Sequence, residues 1–196
     1  MNIAIIIGHE EKAQGARTYN GISEYKFNTY IANALKDLHE FKKENGLAVF
    51  SDLKVISRDH GWGAVQSIIA ANSIDMTVEL HFNSFSGIAR GVEVLCISGD
   101  KSSEDFAAHL ASKIAKEFRS PLRHGNGVFD VTKKERGFNN LNLMKASGAQ
   151  ISVLVEPGFL NYKTAESFAI VEEPTRYVNI LYRSIESYID LGEADA

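Results

Sequence analysis

The chain has 196 residues, 44% of them hydrophobic, enough for one domain with a sizeable core. Its formal net charge of −4 argues against a nucleic-acid binder held by phosphate neutralisation, and offers no attraction to an anionic membrane or cell wall. The single cysteine, Cys96, excludes an intramolecular disulfide and a CxxC zinc site, and its place in the apolar run GVEVLCIS predicts burial.

In chain order, NIAIII reads as a short buried strand followed by the long loop GHEEKAQGARTYNG. A helix follows from Ser23 to about Glu44, with Phe27, Ile31, Leu35 and Leu38 on one stripe. DLKVIS is the next strand, WGAVQSIIAAN the next helix, and IDMTVELHF and RGVEVLCIS are two further strands. SSEDFAAHLASKIAKEF is an amphipathic helix that turns Phe106, Leu110, Ile114 and Phe118 inward, with Ser102 as its expected cap. QISVLVE is another buried strand, and PTRYVNILYRSIESYI closes the chain as a helix with Pro174 in its first turn. No repeat or linker divides this alternation. It predicts a single α/β domain over residues 1–196: a mainly parallel twisted sheet of about six strands with helices on both faces.

In such sheets functional groups gather at the carboxyl ends of the strands. Three predicted strands end in ionisable residues, at His9, His81 and Glu156. Glu24 adds a fourth, because helical spacing puts it on the stripe of Phe27 and Ile31 that faces the sheet. A carboxylate on an inward face is costly unless a positive or hydrogen-bonding group meets it. Taken singly, each residue has a plainer explanation: a satisfied core or loop histidine, a first-turn acid, a turn carboxylate. Together, two imidazoles and a carboxylate make a ligand set suited to zinc with an open position for water, and a further glutamate can take a proton from that water.

The segments GHEEKAQGA, SEYKFN, VELHFNS and VLVEPGFLN, in that order, resemble the zinc-dependent N-acetylmuramoyl-L-alanine amidases of the type 3 family. The linking segments ISRD, AAN and GVEV are also similar, so the resemblance runs from about residue 3 to about residue 165. It implies one zinc ion per chain held by His9, Glu24 and His81, with Glu156 as the catalytic glutamate. It also implies peptidoglycan as substrate, cleaved at the amide between N-acetylmuramic acid and the L-alanine of the stem peptide. Two departures stand out. Glu10 and Glu11 occupy positions where many relatives have glycines, and an arginine that relatives often place before AAN is missing.

Several other residues are candidates for the substrate. Asn83, two past His81, is expected either to bond substrate or to fix its loop, and Arg58 and His60 stand at another strand end. The basic, glycine-containing stretch from Arg123 to Asn140, which includes Arg136, lies just before the Glu156 strand and is read as a loop that meets glycan or stem-peptide carboxylates. Trp62 is read as packing, and His39 and His109 as surface residues on polar helix sides.

NIAIII lacks the marks of a signal peptide, and no stretch approaches the roughly 18 apolar residues of a membrane span. The run VLCISGDKSSEDFAAHL leaves no room for the long inhibitory helix of some cell-division relatives, and no wall-binding module follows the fold. These absences suggest a phage endolysin, made in the cytoplasm and reaching the wall through a holin-type pore, with no stable membrane association and no nucleic-acid partner. Oligomeric state is not legible. The rival expectations are a zinc amidohydrolase for a small N-acyl amino acid and a non-catalytic peptidoglycan-binding module on the same fold.

Overall fold

A computed structural model describes residues 1–85, 89–160 and 164–194. Six strands, β1 (Asn2–Ile7), β2 (Asp52–Ile56), β3 (Met76–Leu80), β4 (Glu93–Ile97), β5 (Val128–Val131) and β6 (Ile151–Glu156), form one sheet in the order β2-β1-β3-β6-β4-β5. β2, β1, β3 and β6 run parallel to one another. β4 runs antiparallel to β6 and carries β5 parallel beside it.

Six helices cover the sheet: α1 (Glu24–Glu44), α2 (Trp62–Ala71), α3 (Lys101–Phe118), α4 (Phe138–Ala146), α5 (Ala165–Glu172) and α6 (Pro174–Ala194). The continuous run of isoleucines in β1 follows from burial on both sides. Ile3, Ile5 and Ile7 join the core under α1, α3 and α6, while Ala4 and Ile6 join a second core with Val65 of α2 and Leu141 of α4. The expected architecture, a mainly parallel sheet with helices on both faces, is the one observed. No helix among the described residues is long and apolar enough to cross a membrane.

Some local expectations fail for identifiable reasons. The stretch from Arg123 to Asn140 is not a plain loop, because VFDV forms β5 and the segment from Phe138 opens α4. Its glycines and charges mask a short edge strand. α3 starts at Lys101 with Asp100, not Ser102, at the cap; there the Asp100 carboxylate accepts from the Ser103 hydroxyl at 2.7 Å. His39 is not a surface residue: it is 1% exposed, stacked on Phe50 at 4.5 Å and hydrogen-bonded to the Tyr182 hydroxyl at 2.9 Å. Its position four residues after Leu35 continues the buried stripe, so helical spacing already pointed inward. His109 is half-buried, with Nε2 2.9 Å from the Ser187 hydroxyl. Cys96 is fully buried, as its apolar run requires.

Candidate active site

Strand order assembles the site. Ile7 lies opposite Leu80, and Leu80 opposite Val155, so β1, β3 and β6 end side by side. His9, His81 and Glu156 therefore leave the sheet along one edge, and α1 begins at that edge with Glu24. Ser23 caps α1 by accepting from the Lys26 N–H, which releases Glu24 from any capping duty. Instead one Glu24 oxygen accepts the Ala16 N–H at 3.0 Å and the other the Phe82 N–H at 2.8 Å. The carboxylate is 1% exposed and aimed between the histidines.

His9 Nε2 lies 3.1 Å from Glu24 Oε2, and His81 Nδ1 lies 3.3 Å from Glu24 Oε1. The imidazoles meet edge to face with centroids 4.9 Å apart, and one donor atom from each of the three residues lies within 4.8 Å of the others. Two glycines make this approach possible. A Cβ on Gly8 would sit 1.9 Å from the Leu80 carbonyl oxygen and 2.8 Å from His81 Nε2. A Cβ on Gly15, which has φ +71°, would sit 2.5 Å from His9 Nε2 and 2.6 Å from Glu24 Oε2. His9 itself adopts φ 67°, a strained conformation for a side-chain-bearing residue that recurs at functional sites.

Glu79 is the functional residue that the sequence reading passed over. It is fully buried, with an Oε1 3.0 Å from His81 Nε2, 2.7 Å from Arg58 Nη1 and 3.0 Å from the Asn140 amide nitrogen. It thus accepts a hydrogen bond from His81 Nε2–H and leaves Nδ1 to face Glu24. A signal was present: Glu79 is a charge inside an apolar strand, two residues before His81 and so on the same face. Burial would raise the Glu79 carboxyl, but the charges and bonds of His81 and Arg58 outweigh it and hold it below the usual range. For His81 burial opposes the charged form, yet Glu79 and Glu24 lift it to about 9. Burial likewise works against ionised Glu24, and His81 and His9 nevertheless bring it down to about 2. The space bounded by these groups therefore demands positive charge, from a proton or a metal ion. Two imidazole nitrogens and one oxygen, oriented by main-chain N–H groups and a buried carboxylate, fit zinc well.

Beside this triad, Glu156 ends β6 directly opposite Glu93, the first residue of antiparallel β4. The exposures of Glu156 and Glu93 are 4% and 0%. Arg136 holds the pair together: its Nη1 donates to Glu156 Oε1, and its Nη2 donates to Glu156 Oε2 at 2.8 Å and to Glu93 Oε1 at 2.5 Å. Burial raises the Glu156 carboxyl to about 7; Arg136 pulls against that shift and Glu93 adds to it. Such a value suits a group that must accept and return a proton near neutrality.

The remaining candidates divide. Asn83 is 8% exposed and buttresses the pair, donating to Glu93 Oε1 at 2.5 Å and accepting from Arg136 Nη2 at 3.2 Å. Arg136 reaches the site. Arg58 turns to Glu79 and stacks over Trp62 at 5.0 Å, so it supports His81 instead of opening toward a substrate groove. His60 and Glu11 are exposed on the rim, and Glu10 is half-exposed there. Asn161, which closes the VLVEPGFLN motif, lies outside the described residues.

Three potential metal donors lie beside a buried carboxylate of raised pKa at the carboxyl edge of an α/β sheet, the place where such folds carry their chemistry. Residues 3–179 match the family described as N-acetylmuramoyl-L-alanine amidase, and the chain belongs to that family of peptidoglycan-cleaving enzymes. No curated protein gives a significant sequence match. Among solved structures, the fold is similar to an N-acetylmuramoyl-L-alanine amidase from Clostridium difficile 630, with TM-score 0.72, 18% identity and 96% of each chain covered. It is similar to the catalytic domain of CwlV, an amidase from Bacillus (Paenibacillus) polymyxa var. colistinus, with TM-score 0.71, 18% identity, and 97% of this chain and 99% of that chain covered. It is also similar to the catalytic domain of CD27L, an endolysin targeting Clostridia Difficile, with TM-score 0.58, 24% identity, and 88% and 95% covered.

Proposed function

We propose that this chain is a zinc-dependent peptidoglycan amidase, with His9, Glu24 and His81 as ligands of one zinc ion and Glu156 as the catalytic base and acid. The observation that carries the reading is the convergence of those three donors within 4.8 Å at the strand edge that also bears Glu156. Bound there, zinc supplies a Lewis acid for the scissile carbonyl and lowers the pKa of a nearby water. The protein supplies the proton traffic. Glu156 accepts a proton from the water that attacks the lactyl carbonyl carbon, then delivers it to the L-alanine nitrogen as the carbon–nitrogen bond breaks. Arg136 and Asn83 keep Glu156 aimed, and Glu93 shares the guanidinium.

Purified peptidoglycan incubated with zinc-loaded protein should release stem peptides with a free L-alanine amine and glycan strands with intact lactyl ethers, read by mass spectrometry. Glu156→Ala should retain zinc and lose turnover. Loss of zinc in that variant would make Glu156 a ligand and overturn the assignment.

The same reading extends to an endolysin role, an amidase domain working on the wall after release through a membrane pore. Two points support it: the short passage from β4 at Ile97 to α3 at Lys101, which carries no inserted helix, and the likeness to an endolysin catalytic domain. Cells expressing the protein should lyse only when their inner membrane is permeabilised. Lysis without permeabilisation would point to another route to the wall.

A further inference from the structure

Hydrolysis of an amide leaves one proton that the steps assigned to Glu156 do not place. The attacking water brings two. One reaches the L-alanine nitrogen by way of Glu156 as the carbon–nitrogen bond breaks, so the peptide departs as a neutral amine. The other stays on the new lactyl carboxylic acid, and such an acid ionises at neutral pH. Glu156 is the base beside it, and once protonated it cannot accept from the next water. Glu156 is only 4% exposed, so this proton needs a way out.

Glu93 and His124 provide one. Glu156 and Glu93 face each other across β6 and β4, accept from the same Arg136 Nη2, and are close enough to hydrogen-bond when one of them carries a proton. Glu93 is fully buried, but its Oε2 lies 2.5 Å from Nε2 of His124, whose side chain is 36% exposed. The fold holds His124 in this place. The Arg123 N–H donates to the Val92 carbonyl at 3.0 Å, the Val94 N–H donates to the Gly127 carbonyl at 2.8 Å, and the imidazole stacks on Phe129 with centroids 4.7 Å apart. His124 takes φ 51°, an uncommon backbone conformation for a residue with a side chain.

Charge balance does not call for His124 there. Arg123, with Nε 3.1 Å from Glu93 Oε2, and Arg136 already supply two positive charges for two carboxylates. A neutral imidazole can therefore sit against Glu93, and imidazole is the side chain that exchanges protons with water near neutrality. Burial works against ionised Glu93, but bonds from Glu156, Asn83 and His124, with the charge of Arg136, bring it down to about 2. At rest it is an acceptor, and it holds a proton only in transit.

We propose that Glu93 and His124 form a proton relay that acts through Glu156 and returns the second water proton to solvent. This rests on the amidase reading above, which makes Glu156 the group that handles the water protons. Glu93 accepts the proton from Glu156, Glu93 Oε2 passes one to His124 Nε2, and the exposed imidazole releases one to bulk water. Each group ends in the state in which it began.

The test compares zinc-loaded native protein with His124→Gln and His124→Ala on soluble peptidoglycan fragments near neutral pH in dilute buffer. Both variants should keep a native-like Tm, because the side chain lies at the surface. His124→Gln still bonds Glu93 but cannot exchange a proton, so kcat should fall about tenfold with KM unchanged. Added imidazole should restore kcat in His124→Ala, each rate being compared with native protein at the same imidazole concentration, and should not restore Glu156→Gln. A readout without turnover is the His124 ring resonances of the metal-free protein, which should show a second titration step where Glu156 titrates, absent in Glu156→Gln. Native-like kcat in both His124 variants, a loss that imidazole does not repair, or a single titration step overturns the relay while the amidase reading stands. If native protein cleaves nothing but the second step is present, the amidase reading fails and the proton path stands.

Discussion

Glu79→Gln tests how far the site depends on a residue that touches no substrate. The substitution keeps the shape of the side chain but removes the charge that faces Arg58 at 2.7 Å and His81 Nε2 at 3.0 Å. Glu79 is fully buried and the Arg58 side chain is 17% exposed, so solvent screens the pair poorly. Breaking a buried pair from one side costs about 3–5 kcal/mol, and the remaining bonds to Asn140 and His81 place this case near 3. At about 2–4 °C per kcal/mol for a chain of this size, Tm should drop by roughly 6–12 °C. Zinc affinity, measured by chelator competition at neutral pH, should fall about tenfold, the low end for loss of a histidine-orienting carboxylate, because glutamine still accepts from Nε2–H. Arg58→Met provides the contrast. It removes the same ion pair but leaves the acceptor, so it should lower Tm comparably and zinc affinity less. A Glu79→Gln protein that is destabilised yet binds zinc as tightly as native would reduce Glu79 to a counterion for Arg58 and refute its orienting role.

Four further outcomes follow from the site. In the metal-free protein His81 keeps its proton up to about 9, so zinc binding at neutral pH should release about one proton, measured by calorimetry in buffers of different ionisation enthalpy; zero release would show that His81 is not a ligand. Turnover should decline as pH falls through about 7, where Glu156 gains its proton. Because the folded carboxyl sits above its ordinary 4.5, the folded state holds the extra proton between about 4.5 and 7, and this group's contribution to stability is lost as pH rises through that window. Glu156→Gln, which cannot ionise, should then gain Tm relative to native above about pH 7, and an equal or lower Tm there would show that Arg136 fully compensates the charge. Gly15→Ala should weaken zinc binding while the fold survives, since its Cβ would press on His9 Nε2 and Glu24 Oε2 from an external loop; unchanged zinc affinity would mean that the loop yields freely.

The sequence by itself determined the elements whose cause is local. A 3.6-residue stripe made α1 and α3 legible, Pro174 marked the start of α6, and the apolar runs of NIAIII and ISVLV marked β1 and β6. Ionisable residues at three strand ends were enough to suspect His9, His81 and Glu156, and helical spacing added Glu24. Where local signals were weak or mixed, the reading failed. β5 is four residues on a sheet edge, and the charges around α4 resemble a loop.

Only the tertiary structure decided which groups meet. Glu93 faces Glu156 because β4 runs antiparallel against β6, and no spacing within either segment specifies that direction. Arg58 belongs to Glu79 because parallel β1 separates their strands in the sheet while their side chains converge above its edge. Arg123 reaches Glu93 at 3.1 Å because its N–H pairs with the Val92 carbonyl, on the approach to β4 far earlier in the chain. Charge partners are chosen by distance in space, and a buried charge is tolerated only where folding delivers its partner. Residue type and periodicity can nominate a buried carboxylate, but the packing of distant strands selects what neutralises it.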